Sequence, residues 1–225
     1  QTGFTGVQVH GAHGYLVSEF LSPRVNLRDD QWGGPLENRA RLLLECVRAV
    51  RSQVGADFPV AVKLNSADFQ KGGFSFEDCL QVIEMLNQEG LDMLEISGGN
   101  YEQPKLLGIG GMEPAFEEKV QESTRAREAY FFDYAVAARV VAKMPLMVTG
   151  GFRSAAGMND ALAGGAVDVI GLGRPLCTDP DFPSRRLSGE LQTAPDVESS
   201  LRIGPGLLGP NSPIAAIKAV NGFAR

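Results

Sequence analysis

Short apolar runs alternate along the chain with longer segments of helical periodicity, and this alternation constrains the fold more than any other feature. The apolar runs predict five β-strands, at residues 6–10, 60–64, 93–97, 146–149 and 167–171. Helical periodicity predicts four helices between them, at residues 36–54, 76–88, 127–143 and 154–163. Strands that alternate with helices are typical of βαβ units in an α/β fold, where the strands lie parallel in one sheet.

Local signals predict several helix ends. Ser75, followed three residues later by Asp78, is expected to cap the amino terminus of the second helix. Gly55, Gly90 and Gly164 each stand where a helix is expected to stop, because glycine readily adopts the backbone conformation that follows a helix. Apolar residues at 16–21 and 214–220 indicate two further short helices.

The composition is that of one globular domain over residues 1–225, with 44% hydrophobic residues, 21% charged residues and 27 glycines. The net charge of −6 argues against broad binding to nucleic acids or anionic membranes, which favour a basic surface. No apolar run approaches the roughly 20 residues that a membrane-spanning helix needs. The sequence leaves open whether the chain forms a homo-oligomer.

The three cysteines, Cys46, Cys79 and Cys177, are far apart in sequence and odd in number. No CxxC spacing is present, so the sequence supports neither a zinc cluster nor an iron–sulfur cluster. A reducing cytoplasm is the compartment expected for such a chain.

Two long connections, at 22–35 and 98–126, follow predicted strands. Connections of this length are usually functional, and the carboxyl ends of parallel strands are where active sites of barrels and open sheets are built. Periodicity alone leaves these two architectures open. The first strand is not followed by the GxGxxG of a dinucleotide-binding sheet, whereas a barrel needs eight strands, three more than are predicted here.

The run His10-Gly11-Ala12-His13-Gly14-Tyr15 begins at the end of the first strand and contains both histidines of the chain. Imidazoles can donate hydrogen bonds to an oxygen on which negative charge develops, and Tyr15 can act as a proton donor. A zinc site would need three or four ligands, and no third ligand is evident nearby. A capped turn with buried histidines is the structural alternative to a catalytic site.

Two glycine-rich turns follow the last two strands, at residues 149–154 and 171–175. Glycine lets backbone N–H groups approach an anion, and the amino terminus of a helix adds a favourable dipole. Arg174 can bind a phosphate through two hydrogen bonds, and the last two strands of a barrel commonly carry a phosphate site. The expected ligand-binding residues are Gly150, Gly151, Phe152, Gly173 and Arg174, against the alternative of ordinary βα turns.

Lys63 lies inside an apolar strand, where an unpaired cation is costly to bury, so it is expected to have a partner. At a barrel mouth it would stabilise negative charge on a cofactor ring. It could instead extend its long stem to solvent. A third alternative is a lyase or isomerase of phosphorylated sugars in which Lys63 forms a Schiff base.

A long ordered set of motifs resembles the Old Yellow Enzyme family of FMN-dependent oxidoreductases over residues 3–188. These motifs are His10 to Tyr15, Glu19 to Pro23, Trp32-Gly33-Gly34, Glu37-Asn38-Arg39, Val62-Lys63-Leu64, Ile96 to Gly99, Thr149 to Phe152 and Gly171 to Pro175. The resemblance implies an eight-stranded TIM (β/α)8 barrel, of which the five predicted strands would be the fourth to the eighth.

The same resemblance implies residue roles. His10 and His13 would grip the carbonyl oxygen of an α,β-unsaturated substrate, and Tyr15 would protonate its α-carbon after FMN, reduced by NADH or NADPH, delivers hydride to the β-carbon. Lys63, where the family more often has arginine, would lie near the pyrimidine edge of the flavin. Gly150, Gly151, Phe152, Gly173 and Arg174 would surround the FMN phosphate.

Three departures from the family pattern stand out. Trp32 replaces a tyrosine, the cysteine cluster of the iron–sulfur members is lacking, and no counterpart of the first three strands is present. The natural protein is therefore expected to be longer at both ends, and this piece alone is expected to be inactive or unstable, because a part of a barrel leaves unpaired strand edges. The sequence identifies neither the physiological substrate nor the preferred nicotinamide cofactor.

Overall fold

The computed structural model of the chain describes residues 3–99 and 131–195. Within these ranges the secondary-structure elements follow one another as β1 (Val7–Gly11), α1 (Leu16–Leu21), α2 (Leu36–Val54), β2 (Val60–Asn65), α3 (Phe76–Leu86), β3 (Met93–Ser97), α4 (Phe132–Ala138), β4 (Leu146–Thr149), α5 (Ala155–Ala163), β5 (Val169–Gly171), α6 (Arg174–Thr178) and α7 (Phe182–Leu187).

The predicted strands are all present, with small shifts at their ends. β3 and β4 have the expected bounds, whereas β1 is displaced by one residue and β5 begins two residues later than expected. The helix predicted at 127–143 ends at Ala138, five residues early, because the chain then tightens into a turn in which the Val141 N–H donates to the carbonyl of Ala138. Residues 127–130 and 214–220 lie outside the described ranges.

The helix caps follow the expected chemistry in part. The hydroxyl of Ser75 accepts a hydrogen bond of 3.1 Å from the Asp78 N–H, which confirms the predicted cap of α3. Gly55 ends α2 with a φ of +82°, and Gly164 ends α5. The expectation for Gly90 was wrong, because α3 ends at Leu86 and Gly90 lies in the turn that follows.

The five strands form one parallel sheet in the order β1-β2-β3-β4-β5, so every strand pairs with its neighbour in sequence. A doubly wound sheet reverses its strand order at a switch point, whereas strands of a TIM barrel follow one another around the axis. The sequential order is therefore that of consecutive strands of a barrel, and it decides between the two architectures that periodicity left open.

The two faces of the sheet differ in chemistry because successive side chains of a strand point to opposite sides. The outer face packs against the helices as a buried apolar layer, in which strand residues such as Leu64 and Ile96 meet helix residues such as Leu43 and Ile83. The opposite, inner face carries polar residues at the carboxyl ends of the strands: His10, Lys63, Asn65, Glu95, Ser97 and Thr149.

The amino-terminal edge of the sheet is held by the same device at two places. Asp92 accepts a hydrogen bond of 2.8 Å from the Val60 N–H and forms an ion pair of 2.6 Å with Arg51. Asp168 likewise accepts a hydrogen bond from the Leu146 N–H and forms an ion pair with Arg139. Each aspartate thus joins the start of one strand to the helix before that strand and to the start of the next strand.

In the described ranges, no helix is long and apolar enough to cross a membrane.

Candidate active site

The carboxyl ends of β1, β2 and β3 bring the polar residues of the inner face into two adjacent rows. Strand register aligns His10 with Lys63 and Lys63 with Glu95 in the first row. The second row aligns Asn65 with Ser97. These five residues come from three strands, and the loop that follows β1 is anchored to the second row.

The end of β1 and the β1–α1 loop bring together the three residues for which catalytic roles were predicted. The ring centroids of His10 and His13 are 5.3 Å apart, and those of His10 and Tyr15 are 5.1 Å apart. His10 and Tyr15 are exposed, whereas His13 is buried. The structure therefore forms a compact His–His–Tyr cluster with one buried and two accessible members, rather than a turn that buries both histidines.

His13 is held in an unusual backbone conformation by contacts with two other strands. Its φ of +65° lies in the left-handed region, which costs free energy for a residue other than glycine. Its N–H donates to Oδ1 of Asn65 over 3.2 Å, and its Nε2 lies 2.6 Å from Oγ of Ser97. These contacts support the conformation, so the position of His13 depends on β2 and β3 as well as on its own loop.

The electrostatic environment favours the neutral form of both histidines. Burial, followed by the nearby Lys63 cation, lowers the pKa of His13 to about 4, and His10 contributes in the same direction. The pKa of His10 is also lowered, first by burial and then by Lys63. Glu95 opposes this effect on both rings. At neutral pH each imidazole is therefore expected to carry a single proton and to offer one donor and one acceptor.

Lys63 has the partner that its place in an apolar strand predicted. Its Nζ lies 2.8 Å from Oε1 of Glu95, and the side chains of Lys63 and Glu95 are 18% and 5% exposed. The alternative in which Lys63 extends to solvent is not what the structure shows. Glu95 offsets the positive charge of Lys63, so the inner face presents a neutral pair there rather than an isolated cation.

The two glycine-rich turns lie side by side because β4 pairs with β5, with Thr149 opposite Gly171. Gly150 and Gly151 have φ values of +123° and +86°, which residues with a Cβ rarely adopt. Gly173 precedes α6, and the exposed Arg174 begins it. The side chain of Phe152 is 3% exposed and belongs to the apolar core, so only its backbone can contribute to a ligand site.

One observation at this edge fits an anionic or polar ligand. The Oγ1 of Thr149 is buried and has no hydrogen-bond partner in the described ranges. A Cβ at Gly171 would overlap that oxygen and would lie 2.6 Å from Cε of Met147. The missing Cβ thus leaves room for the Thr149 hydroxyl, next to the turns in which Gly151 and Gly173 supply backbone N–H groups and Arg174 a positive charge.

A later segment supports the turn after β4. Ser154, whose hydroxyl caps α5, forms an antiparallel bridge with Thr193. The Ala194 N–H donates to the Arg153 carbonyl over 2.8 Å, and Arg153 donates in turn to the Pro195 carbonyl. The chain after α7 therefore returns to hold the glycine-rich turn in place, which no local sequence signal indicated.

The long connection at 22–35 is held by polar side chains of its own and of α2. Asn26 donates hydrogen bonds to the carbonyls of Phe20 and Trp32, and Arg39 donates to the carbonyl of Gly34. A Cβ at Gly33 would overlap the backbone of Arg28, so glycine is required there. This part of the family-like motif builds a defined loop beside the site. Of the second long connection, only residues 98 and 99 lie in the described ranges.

Three residues of the site were missed by sequence reasoning: Asn65, Glu95 and Ser97. Glu95 had a usable signal, because a carboxylate inside the apolar run Met93–Ser97 is as costly to bury alone as Lys63. Asn65 and Ser97 had none, since single polar residues at strand ends are common. No group of three or more potential metal-binding side chains occurs in the part of the chain that the structure describes.

Known proteins are similar to this chain in sequence and in fold. The NADH-dependent flavin oxidoreductase iliE of Neonectria sp. (strain DH2) is 37% identical over 201 residues, which are 88% of this chain and 26% of that protein. The solved complex of 2-naphthoyl-CoA reductase with 2-naphthoyl-CoA has a TM-score of 0.75 at 26% identity, covering 99% of this chain and 32% of the other.

The Old Yellow Enzyme homologue from Zymomonas mobilis gives a TM-score of 0.62 at 27% identity, covering 87% of this chain and 50% of the other. The chain thus spans half or less of each of these proteins. The family resemblance, the barrel fold and the flavin and nicotinamide cofactors expected from the sequence are confirmed at the level of the family. The family description matches residues 1–192, and the chain belongs to the NADH:flavin oxidoreductase / NADH oxidase family.

Proposed function

We propose that the full-length protein is an FMN-dependent oxidoreductase that uses NADH or NADPH to reduce the activated C=C bond of an α,β-unsaturated carbonyl compound. The observation that carries the proposal is the cluster of His10, His13 and Tyr15 at the carboxyl end of β1, with ring centroids about 5 Å apart. The proposal concerns the full-length protein because this chain covers only part of its relatives.

The histidines suit the binding of a carbonyl oxygen. When a hydride adds to the β-carbon of an enone, negative charge develops on the carbonyl oxygen, and hydrogen-bond donors placed there lower the barrier. The lowered pKa values of His10 and His13 favour the neutral rings, each of which can donate one N–H. We assign this role to both.

Tyr15 is placed to complete the reduction. Addition at the β-carbon leaves an enolate, which needs one proton at its α-carbon to become the saturated product. The phenol of Tyr15 can supply that proton, and its exposed ring beside His10 is accessible to a bound substrate. Solvent or buffer would then return the proton to Tyr15.

The same face fits a flavin. When bound, FMN would supply the hydride that it receives from NADH or NADPH. Backbone groups of Gly150, Gly151 and Phe152, together with Gly173 and Arg174, would hold its phosphate beside the unsatisfied Thr149 hydroxyl. Lys63 would face the polar edge of its ring while remaining paired with Glu95.

The Schiff-base alternative gains no support from the site. A Schiff base at Lys63 would leave the His10, His13 and Tyr15 cluster without a role. For localisation we propose the cytoplasm, where thiols such as the free Cys46, Cys79 and Cys177 stay reduced.

The test uses the full-length protein reconstituted with FMN under anaerobic conditions. We expect a yellow complex that is bleached by NADH or NADPH and regains its colour on addition of cyclohexenone. Cyclohexanone, which has the carbonyl but lacks the activated C=C bond, is the matched control and should leave the complex bleached. A protein that does not bind FMN, or that no enone reoxidises, would contradict the proposal.

A further inference from the structure

We propose that Ser97 is a positioning residue that selects one tautomer of His13, the one with its proton on Nδ1, and that this Nδ1–H donates to the substrate oxygen. The inference deepens the proposed function, on which the identity of the bound oxygen rests. The tautomer itself rests on the contacts of His13 alone.

The hydrogen bond between His13 and Ser97 can be made in two ways. The Nε2 of His13 lies 2.6 Å from Oγ of Ser97, and both residues are buried. A neutral imidazole has one N–H and one acceptor nitrogen. Either Nε2–H donates to the hydroxyl oxygen, or the hydroxyl donates to a bare Nε2.

Hydrogen-bond accounting separates the two arrangements. If Nε2–H donated, the hydroxyl proton of Ser97 would need another acceptor, and none is found for it in the described ranges. A buried donor without an acceptor costs free energy. If Ser97 donates, both groups are satisfied and the ring proton moves to Nδ1. The second arrangement is therefore favoured.

The Nδ1 atom of His13 is left available to a ligand. It has no hydrogen bond to any residue in the described ranges. It is also not among the buried side-chain atoms that lack a partner there, which are those of Ser22, Ser66 and Thr149. An N–H at Nδ1 can therefore donate to a bound oxygen.

Two further features fix the position and the charge of the His13 ring, so that its tautomer is the main property left to vary. The backbone of His13 is tied by its N–H to Oδ1 of Asn65, and the orientation of that amide is set because its Nδ2 donates to Asp68 and to the Gly99 carbonyl. Burial, the Lys63 cation and His10 all lower the pKa of His13 and so favour the neutral imidazole, whereas Glu95 acts in the opposite direction. A neutral imidazole carries its proton on either Nδ1 or Nε2, and the hydrogen bond from Ser97 favours Nδ1.

Nuclear magnetic resonance of the full-length protein with ¹⁵N-labelled histidine tests the assignment at pH 7. The His13 signals are identified by their loss in His13→Gln. In the wild type we expect a protonated Nδ1 and an unprotonated Nε2. Ser97→Ala should shift His13 toward the Nε2–H tautomer. Ser66→Ala removes a neighbouring buried hydroxyl that has no hydrogen-bond partner among the described residues, and it should leave the His13 signals unchanged.

The rate at which cyclohexenone reoxidises the reduced protein supplies a second readout. Ser97→Ala should lower it roughly tenfold, the scale on which partners that orient metal-binding histidines act, whereas Ser66→Ala should not. A wild type that reduces enones but carries the proton on Nε2, or an unchanged tautomer in Ser97→Ala, would overturn the inference alone. A wild type with the expected tautomer that reduces no enone would overturn the proposed function and leave the tautomer assignment standing.

Discussion

The ammonium group of Lys63 on β2 and the carboxylate of Glu95 on β3 form an ion pair of 2.8 Å on the inner face of the sheet. Strand register places the two residues directly opposite each other, with His10 next in the same row. After burial, which has the larger effect, Lys63 lowers the pKa of both histidines and Glu95 raises it, so the pair adjusts the charge of the proposed substrate site.

The first prediction concerns the stability of this pair. Glu95→Gln leaves Lys63 largely buried without its counter-charge, and loss of one partner of a buried pair costs roughly 3 kcal/mol. The double variant Lys63→Met/Glu95→Leu, which removes both charges, should recover most of that loss. Denaturant unfolding of the full-length protein gives the three free energies. A double variant as unstable as Glu95→Gln would show that the uncompensated charge is not the cause.

The second prediction is the response of His13 to its neighbours. Because Lys63 lowers the pKa of His13 and Glu95 raises it, Lys63→Met should raise that pKa above about 4 and Glu95→Gln should lower it. A histidine-detected pH titration measures both shifts. Shifts of the same sign in the two variants would contradict this account of the site.

The third prediction is a pH dependence of stability. The pKa of His13 is about 4 in the folded protein against an ordinary value of 6.5, so between these values the unfolded chain binds the extra proton and the folded one does not. Stability should therefore rise from pH 4 to pH 6.5 and then level off. The rise should be smaller in His13→Gln, and the difference between the two profiles isolates His13 from other titrating groups.

The fourth prediction concerns the contact between Gly171 and Thr149. Gly171→Ala places a Cβ onto Oγ1 of Thr149, and overpacking of this kind costs roughly 1–3 kcal/mol. Gly173→Ala is the matched control for stability, since its Cβ would meet no atom of the described residues within 4 Å and its φ is −112°. Thr149→Ala should partly rescue Gly171→Ala. Unfolding free energies that are equal for the two glycine variants would contradict the crowding.

The fifth prediction concerns Tyr15. If its phenol protonates the enolate, Tyr15→Phe should slow reoxidation of the reduced protein by cyclohexenone by roughly 100-fold, the lower end of the range for general acids. Reduction by NADH or NADPH requires no such proton and should stay near normal. Stopped-flow measurements separate the two half-reactions. An equal loss in both would point to a structural role for the Tyr15 ring against His10.

The sequence by itself determined the elements and the residue types of the site. The five apolar runs and their helices depend on periodicities of two and 3.6 residues, which local side chains establish. The motif of His10, His13 and Tyr15 and the two glycine-rich turns are local as well, because a turn is built by consecutive residues. The need of Lys63 for a partner followed from the cost of burying a charge.

The tertiary structure decided which residues meet. Sequential strand order separates barrel from open sheet, and only strand pairing reveals it. The hydrogen bond between His13 and Ser97 joins residues 84 positions apart, and the ion pair of Lys63 with Glu95 requires a specific register between β2 and β3. A shift of one residue would turn each side chain to the other face of the sheet. The protonation of the histidines and the charge balance of the site therefore depend on the packing of the whole sheet rather than on any local pattern.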